Sequence, residues 1–391
     1  MTTQLLEGRW NETKDALLEG LQGSKRTTMA VILENTKKHL METATGGATA
    51  VGNVATLNRV ILPVIRRVMP TVIANEIVGV QPMTGPVAQI HTLRVRYADS
   101  NNATGTANDV TAGDEALSPF KVAVAYSGDT TAGLAASTSA LEGTPGNRIN
   151  VQILKQVVEA KTRKLSARWT FEAAQDAQSM HGLDVEAEIM AALAQEITVE
   201  IDQEILASLR SLAGNTYNYN QATVSGTATF VGDEHAALAV TINRAANLIA
   251  QRTRRGAGNW AVVSPAALTV LQSATTSAFA RSTEGTFEAP TNTKFVGTLN
   301  SAMRIYVDGY ASDTQEVLVG YKGSSEADAA AFYCPYVPLM SSGVVLDPST
   351  FEPVVGFMTR YGYVELSNTA SSLGNAADYL EEVGVSNLSF Q

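Results

Sequence analysis

The sequence predicts a mixed helix-and-sheet protein of the α+β class, and three of its features carry that prediction. Apolar residues recur four apart in mid-chain, at Val185, Ile189, Leu193, Ile197, Ile201, Ile205 and Leu209. Short β-rich runs stand on both sides of that stretch, and strands alternate with helical segments between residues 230 and 340. A spacing of four places successive side chains on neighbouring positions of one helical surface, so residues 184 to 212 are predicted as a helix about 40 Å long. Four residues overshoot a full turn by about 40°, so the stripe winds around the cylinder and one flat partner cannot cover it. We expect these seven side chains to pack as the spine of the fold.

With 391 residues, 45% of them apolar, the chain can bury two or three cores. Aromatics make up only 6% and charged residues 17%, which leaves surfaces of small uncharged groups that suit either subunit contact or a neutral exterior. The net charge of -10 argues against coating nucleic acid through phosphate neutralisation. The basic groups Arg66-Arg67 and Arg252-Thr253-Arg254-Arg255 read as solvated or intersubunit clusters. A single cysteine, Cys334, permits no intrachain disulfide, which fits synthesis in a reducing cytoplasm. Neither a signal peptide nor a run of ~20 apolar residues is recognisable, and no membrane association is expected.

Taken in order, residues 1 to 45 read as an arm of one or two amphipathic helices, the second carried by Met29, Ile32, Leu33, Thr36 and Leu40. Its apolar side needs a cover, and a neighbouring subunit is the expected one. A Gly/Thr-rich joint at 45 to 52 follows, then two short helices starting near Pro63 and Pro70, where proline suits a first turn. Glu76 to Met83 and Ala88 to Tyr97 read as strands, and Pro119 to Tyr126 as a returning strand beyond an aperiodic tip. The helical reading then runs from Ile149 to Leu212, broken where Gly182 would end one helix and Asp184 would cap the next. Gly214 to Thr229 suggests a hairpin or loop, and Glu234 to Gln251 a helix. Trp260 to Val263 is a buried strand, followed by a helix from Pro265 to Gln272 capped by Ser264. Strands at Arg304–Val307 and Glu316–Tyr321 complete a compact α/β or α+β lobe, and strands at Ala331–Pro338 and Gly356–Val364 return toward the spine.

Candidate chemistry is sparse. The four histidines, His39, His91, His181 and His235, keep no metal-ligand spacing, and neither a nucleophile elbow nor a phosphate loop is present. Gly256-Ala257-Gly258 precedes a strand where a dinucleotide fingerprint would follow one. Glu186/Glu188 and Asp202/Glu204 are two apart on a helix and diverge. Cys334, set in an apolar strand, reads as a buried hydrophobe. No cofactor, metal or catalytic residue is expected.

Several blocks carry a resemblance: Leu62-Pro63-Val64-Ile65-Arg66-Arg67-Val68-Met69-Pro70 with Ile73-Ala74-Asn75-Glu76-Ile77-Val78-Gly79-Val80-Gln81-Pro82-Met83, then His181-Gly182-Leu183-Asp184-Val185-Glu186-Ala187-Glu188. Gly258-Asn259-Trp260-Ala261-Val262-Val263-Ser264, Phe332-Tyr333-Cys334-Pro335-Tyr336-Val337-Pro338-Leu339 and Phe351-Glu352-Pro353-Val354-Val355-Gly356-Phe357-Met358 continue it. In that order, over about residues 57 to 365, they closely resemble the major capsid proteins of T-even-type tailed bacteriophages.

The resemblance implies an HK97-like fold with an N-terminal arm at 1–56 and an extended β-ribbon loop at 88–145. A peripheral domain would take 57–87 and 146–229, including the spine helix 184–212; an axial domain would take 230–340, and 341–391 would return to the peripheral domain and end as a tail. It further implies an icosahedral shell of hexamers, with pentamers or a separate vertex protein at the corners, around double-stranded DNA. Portal, scaffold and decoration proteins would be partners, contact with the genome would be nonspecific, and assembly would take place in the bacterial cytoplasm before residence in the virion. The extended loop is too short for the inserted domain of T-even-type relatives, and it offers only Lys121 for intersubunit crosslinking. Such proteins are cut after glutamate in a Leu/Ile-x-Glu pattern, which Glu7, Glu19 and Glu34 fit here. Amphipathic helices produce that pattern by chance, and the arm is expected to stay uncleaved. An encapsulin-like compartment of the same fold and an unrelated α/β enzyme are the alternatives.

Overall fold

The structure, a computed structural model, describes residues 10, 14, 15, 18, 23–44, 73–100, 111–114, 116, 126–128, 135–143, 145–181, 184–222, 231–253, 255–273, 279–281, 294–311, 317–326, 328–366 and 376–388. The joint at 45–52, the helices expected from Pro63 and Pro70, and the strand at 119–126 save Tyr126 lie outside these residues. The chain divides into two compact units, Met1–Ala88, Val158–Ala207 and Phe332–Val364 forming one, Gln89–Val157, Ser208–Ala331 and Glu365–Gln391 the other.

In the first unit, helix α1 (Gly23–Ala44) buries Met29, Ile32 and Leu33, a patch made by the i, i+3, i+4 spacing. Asn35 Nδ2 donates to Met83 O at 2.7 Å, within the same unit. The arm helix is thus covered by its own chain, where the sequence suggested a neighbour. Part of the strand expected at 76–83 is instead a helical turn, α2 (Ala74–Ile77), followed by a two-residue strand, β1 (Gly79–Val80).

The helix expected from Ile149 to the break at Gly182 forms only from Phe171, and the residues before it are strands. Strand β2 (Val87–Tyr97) pairs with β3 (Ile149–Glu159) in a two-stranded ribbon, and β4 (Lys161–Arg168) follows. Ala160 N donates to Pro86 O at 2.9 Å, and Ala98 N to Arg148 O at 2.9 Å, so β2 and β3 run antiparallel. The two-residue alternation of Ile149, Val151 and Ile153 is the period of a strand, and β-branched side chains fill it readily. Helices α3 (Thr138–Leu141), α4 (Phe171–His181) and α5 (Val185–Leu212) complete this part of the chain. Asp184 Oδ1 accepts from Glu186 N at 3.1 Å and Ala187 N at 3.4 Å, the cap expected of it.

The five-stranded sheet of the first unit runs β1-β11-β13-β12, where β11 is Ala331–Ser341, β12 Val345–Leu346 and β13 Pro353–Glu365; β4 also pairs with β13. β1 is parallel to β11, with Gly79 opposite Phe332, and β4 is antiparallel to β13 from Val354↔Arg168 to Tyr361↔Lys161. Alternate residues of β13, Val355, Phe357, Thr359 and Tyr361, are buried, as one covered face requires.

The second unit is built on a seven-stranded mixed sheet. Its strands are β5 (Gly214–Asn220), β6 (Trp260–Val263), β7 (Phe279–Arg281), β8 (Lys294–Leu299), β9 (Met303–Val307), β10 (Val317–Gly320) and β14 (Leu380–Ser386). Their order is β5-β14-β10-β6-β9-β8-β7, with β5 parallel to β14 and β6 parallel to β9. β6 is buried at every residue, which explains its unbroken apolar run. Helix α6 (Val231–Thr253) packs on β5, β14 and β10 and on α7 (Pro265–Ser273). Leu238, Ile242, Ala245 and Ile249 of α6 enter a core with Val263, Ile305, Val319 and Val383. Ala267 N donates to Ser264 Oγ at 3.3 Å, so Ser264 caps α7 as predicted. Gly214 to Asn220, expected as a hairpin or loop, is an edge strand, and its polar residues suit a solvated edge. Leu380–Ser386, in the stretch expected to return to the peripheral domain and end as a tail, is an inner strand of this sheet.

Candidate functional site

The seven spine residues are graded by burial along α5. Val185 and Ile189 are half-buried, Leu193 and Ile197 are buried, and Ile201, Ile205 and Leu209 have almost no exposed surface. Of the candidate cleavage positions, Glu34 lies inside α1 and its carboxylate meets Lys14 Nζ at 3.0 Å. Glu7 and Glu19 lie outside the described residues.

Where charged and nucleophilic groups do meet, they build scaffold. Arg163 of β4 donates to Glu200 at 2.8 Å, to Glu204 at 2.5 Å and, through Nε, to the Tyr361 hydroxyl at 2.6 Å. Tyr361 in turn donates to Glu204. The cluster ties α5 to β4 and β13, and Glu204, expected from its helical position to diverge from Asp202 as a surface or subunit-contact charge, is one of its centres. Partial burial pushes the Glu204 carboxyl up, but hydrogen bonds from Arg163 and Tyr361 outweigh it and hold the group below its usual range. Burial, with the Glu204 carboxylate second, pushes the Tyr361 hydroxyl well above its ordinary value.

In the second unit, Arg252 Nη1 contacts Glu381 Oε2 at 2.7 Å, and Thr216 N donates to the other carboxylate oxygen at 2.8 Å. Arg252, expected from sequence in a solvated or intersubunit cluster, is therefore committed to a buried acid of its own chain. His235 Nδ1 stands 2.6 Å from Ser273 Oγ, the closest approach to a nucleophile-and-base pair. The serine hydroxyl is also within hydrogen-bond reach of Val270 O, at 3.0 Å, so a backbone acceptor competes with the ring nitrogen for its proton. The serine is the last residue of α7, so the pair closes the end of that helix. Burial pushes the Cys334 thiol up to about 12, so it is held as an unreactive thiol. Among the described residues, no group of three His, Cys, Asp or Glu could hold a metal ion.

What the fold leaves open is apolar surface. On β3, Ile149, Val151, Ile153 and Val157 share one ribbon face with Lys155, and all five are exposed, Ile153 by 67%. At the turn between β12 and β13, Val344, Val345 and Leu346 are exposed and Phe351 is 75% exposed. Contiguous apolar surface of this kind marks places where another molecule binds. Sequence periodicity could have found the ribbon face had Ile149 to Val157 been read as a strand; the hairpin turn carried no such signal.

Residues 54–385 match the family model described as Major capsid protein Gp23. The chain is 31% identical to the major capsid protein of Vibrio phage KVP40, over 85% of this chain and 82% of that one. It is 29% identical to the major capsid protein of Enterobacteria phage T4, over 80% of this chain and 75% of that one. A solved structure described as the asymmetric unit of the bacteriophage PhiM1 mature capsid aligns with a TM-score of 0.43 at 13% identity, covering 79% of this chain and 84% of that one. With the match running through both units and a fold whose charged clusters serve as scaffold, the chain belongs to the Gp23 family of major capsid proteins and is a structural protein of the phage head shell, not an enzyme.

Proposed function

We propose that the chain tiles an icosahedral head shell around the double-stranded DNA of a tailed phage, with hexamers as the repeating unit and pentamers or a vertex protein at the corners. The observation that carries this reading is the bare apolar face of the β2–β3 ribbon, on which four β-branched side chains stay in water until another subunit covers them. An HK97-type division accounts for the parts: arm 1–56, ribbon loop from residue 88, peripheral domain on the five-stranded sheet and α5, and axial domain on the seven-stranded sheet. The genome is held by confinement, because a chain of net charge -10 gains little from counterion release. Portal, scaffold and decoration proteins meet this shell during assembly in the host cytoplasm, and no cofactor takes part.

Light scattering and electron microscopy of the purified protein test the reading. Closed shells that protect DNA from nuclease are expected. A chain that stays monomeric or dimeric under all assembly conditions overturns it, and shells that hold a protein cargo without DNA would make the chain an encapsulin-like compartment. Within the shell, Ile153→Lys should leave a folded subunit and abolish particles, since the residue is exposed in the single chain.

A further inference from the structure

The turn between β12 and β13 carries an aromatic in a conformation that aromatic residues avoid. Phe351 has φ 60°, in the left-handed region, and its side chain is 75% exposed. The turn is nonetheless well fixed: Phe351 N donates to Asp347 O at 2.8 Å, Asp347 N to Glu352 O at 2.9 Å, and the Ser349 amide and hydroxyl to Asp347 Oδ1 at 2.9 and 2.7 Å. The local hydrogen bonds therefore hold a phenyl ring out in water on a short, rigid support. With three quarters of its surface in water, it gains little apolar stabilisation in the single chain.

The same unit contains a matching recess. A cavity of about 420 Å³ opens on the sheet formed by β4, β11 and β13, lined by Leu165, Met340, Phe357 and Met358 and rimmed by Lys164. Its volume exceeds that of a phenyl side chain, and methionines adapt to an aromatic guest. Among the described residues Lys164 is exposed and without an acidic partner, whereas the turn that carries Phe351 also carries the Asp347 carboxylate, on which Arg168 of the same chain acts as well. Hydrogen bonds from Ser349 hold that carboxyl below its usual range, so its charge persists at neutral pH.

We propose that Phe351 of one subunit seats in the Leu165/Met340/Met358 cavity of a second copy of this chain, with Asp347 of the first facing Lys164 of the second. Knob and recess are different patches of one surface, so the contact is head-to-tail, and it closes into a ring where the rotation between neighbours allows. The occupant is a second copy because the chain belongs to a self-assembling shell and supplies both halves, with opposite charges at their edges. The contact rests on the shell reading above and specifies one of its interfaces.

Co-assembly of a Phe351→Cys chain with a Met358→Cys chain under mild oxidation tests it. A disulfide-linked dimer of the two chains is expected in shells and not in unassembled subunits, and native Cys334 is buried away from the reaction. Dimers from Phe351→Cys alone would place turn against turn and overturn the proposal, as would shells without any mixed dimer. A Phe351→Gly chain, relieved of its backbone strain, should show a raised melting temperature as a subunit yet yield about tenfold fewer shells, the effect of losing one buried phenyl per contact. Full shell yield from Phe351→Gly would overturn the contact while leaving the shell reading intact. Failure of the unsubstituted chain to form shells would strike the shell reading itself.

Discussion

Arg252 Nη1 lies 2.7 Å from Glu381 Oε2, and the Glu381 side chain has no exposed surface at all. The pair joins α6 to β14, and the Thr216 amide of β5 satisfies the other carboxylate oxygen. Arg252→Ala leaves a buried carboxylate with one backbone donor, and a cost of about 3–5 kcal/mol is expected. Urea unfolding of unassembled subunits checks this. A double substitution, Arg252→Met with Glu381→Leu, should recover much of the loss, because the penalty comes from the uncompensated charge.

Glu204 makes part of the first unit's stability depend on acid. Its folded pKa is depressed below its unfolded value, so its contribution is fully present above the ordinary carboxylate pKa of about 4.3. That contribution is lost as the pH falls through the depressed folded value. Tyr361→Phe removes one of the hydrogen bonds that depress it. The melting temperature of the variant should therefore lie below that of the parent at pH 7, and the gap should narrow under acid. A gap of constant size down to pH 3 would refute the assignment.

Along α5, destabilisation should follow burial. Ile205→Ala is expected to cost about 2–5 kcal/mol and half-buried Ile189→Ala about 1 kcal/mol or less. Ile197→Asp, at a residue 1% exposed, should abolish soluble, assembly-competent subunits. Denaturant midpoints rank the first two, and soluble yield reads the third.

Gly320 stands opposite Trp260 in the register of β10 and β6, and a Cβ there would lie 2.1 Å from Trp260 Cζ2. The indole takes the space a side chain would need, the kind of close approach that keeps glycine within a strand. Gly320→Ala should destabilise the second unit by about 3 kcal/mol or more. Loss of the near-ultraviolet Trp260 signal at lower denaturant concentration is the expected readout.

The arm should reach the particle uncut at Glu34. The residue sits within a helix that buries Ile32 and Leu33, so a protease needs that turn unwound before the peptide bond can enter an active site. Intact-mass measurement of shell protein should show no chain starting at Asn35, nor at Gly8 or Gly20 if the whole arm is retained.

Helix α5 was readable because its signals are local and agree: a four-residue apolar spacing, an aspartate cap, acids in the first turn and Arg210 in the last. At Ile149, Ile153 and Val157 the same spacing stands in a strand. Residues four apart share a face in a helix and also in a strand, where four is twice the period, so Val151 should have decided the matter. The strands Gly214–Asn220 and Leu380–Ser386 were missed because neither has a strong alternating pattern, and their places are fixed by partners about 165 residues away. Glu204 and Arg252 were read as surface charges because nothing within their own helices announces Arg163, Tyr361 or Glu381.

The position of β14 also sets the timing of folding. It lies between β5 and β10, near the end of the chain, while the other six strands of the sheet are synthesised earlier. Until Leu380–Ser386 emerges from the ribosome, β5 has no partner and the edge of β10 stands open. A chain that has not yet reached this strand therefore cannot complete its second unit.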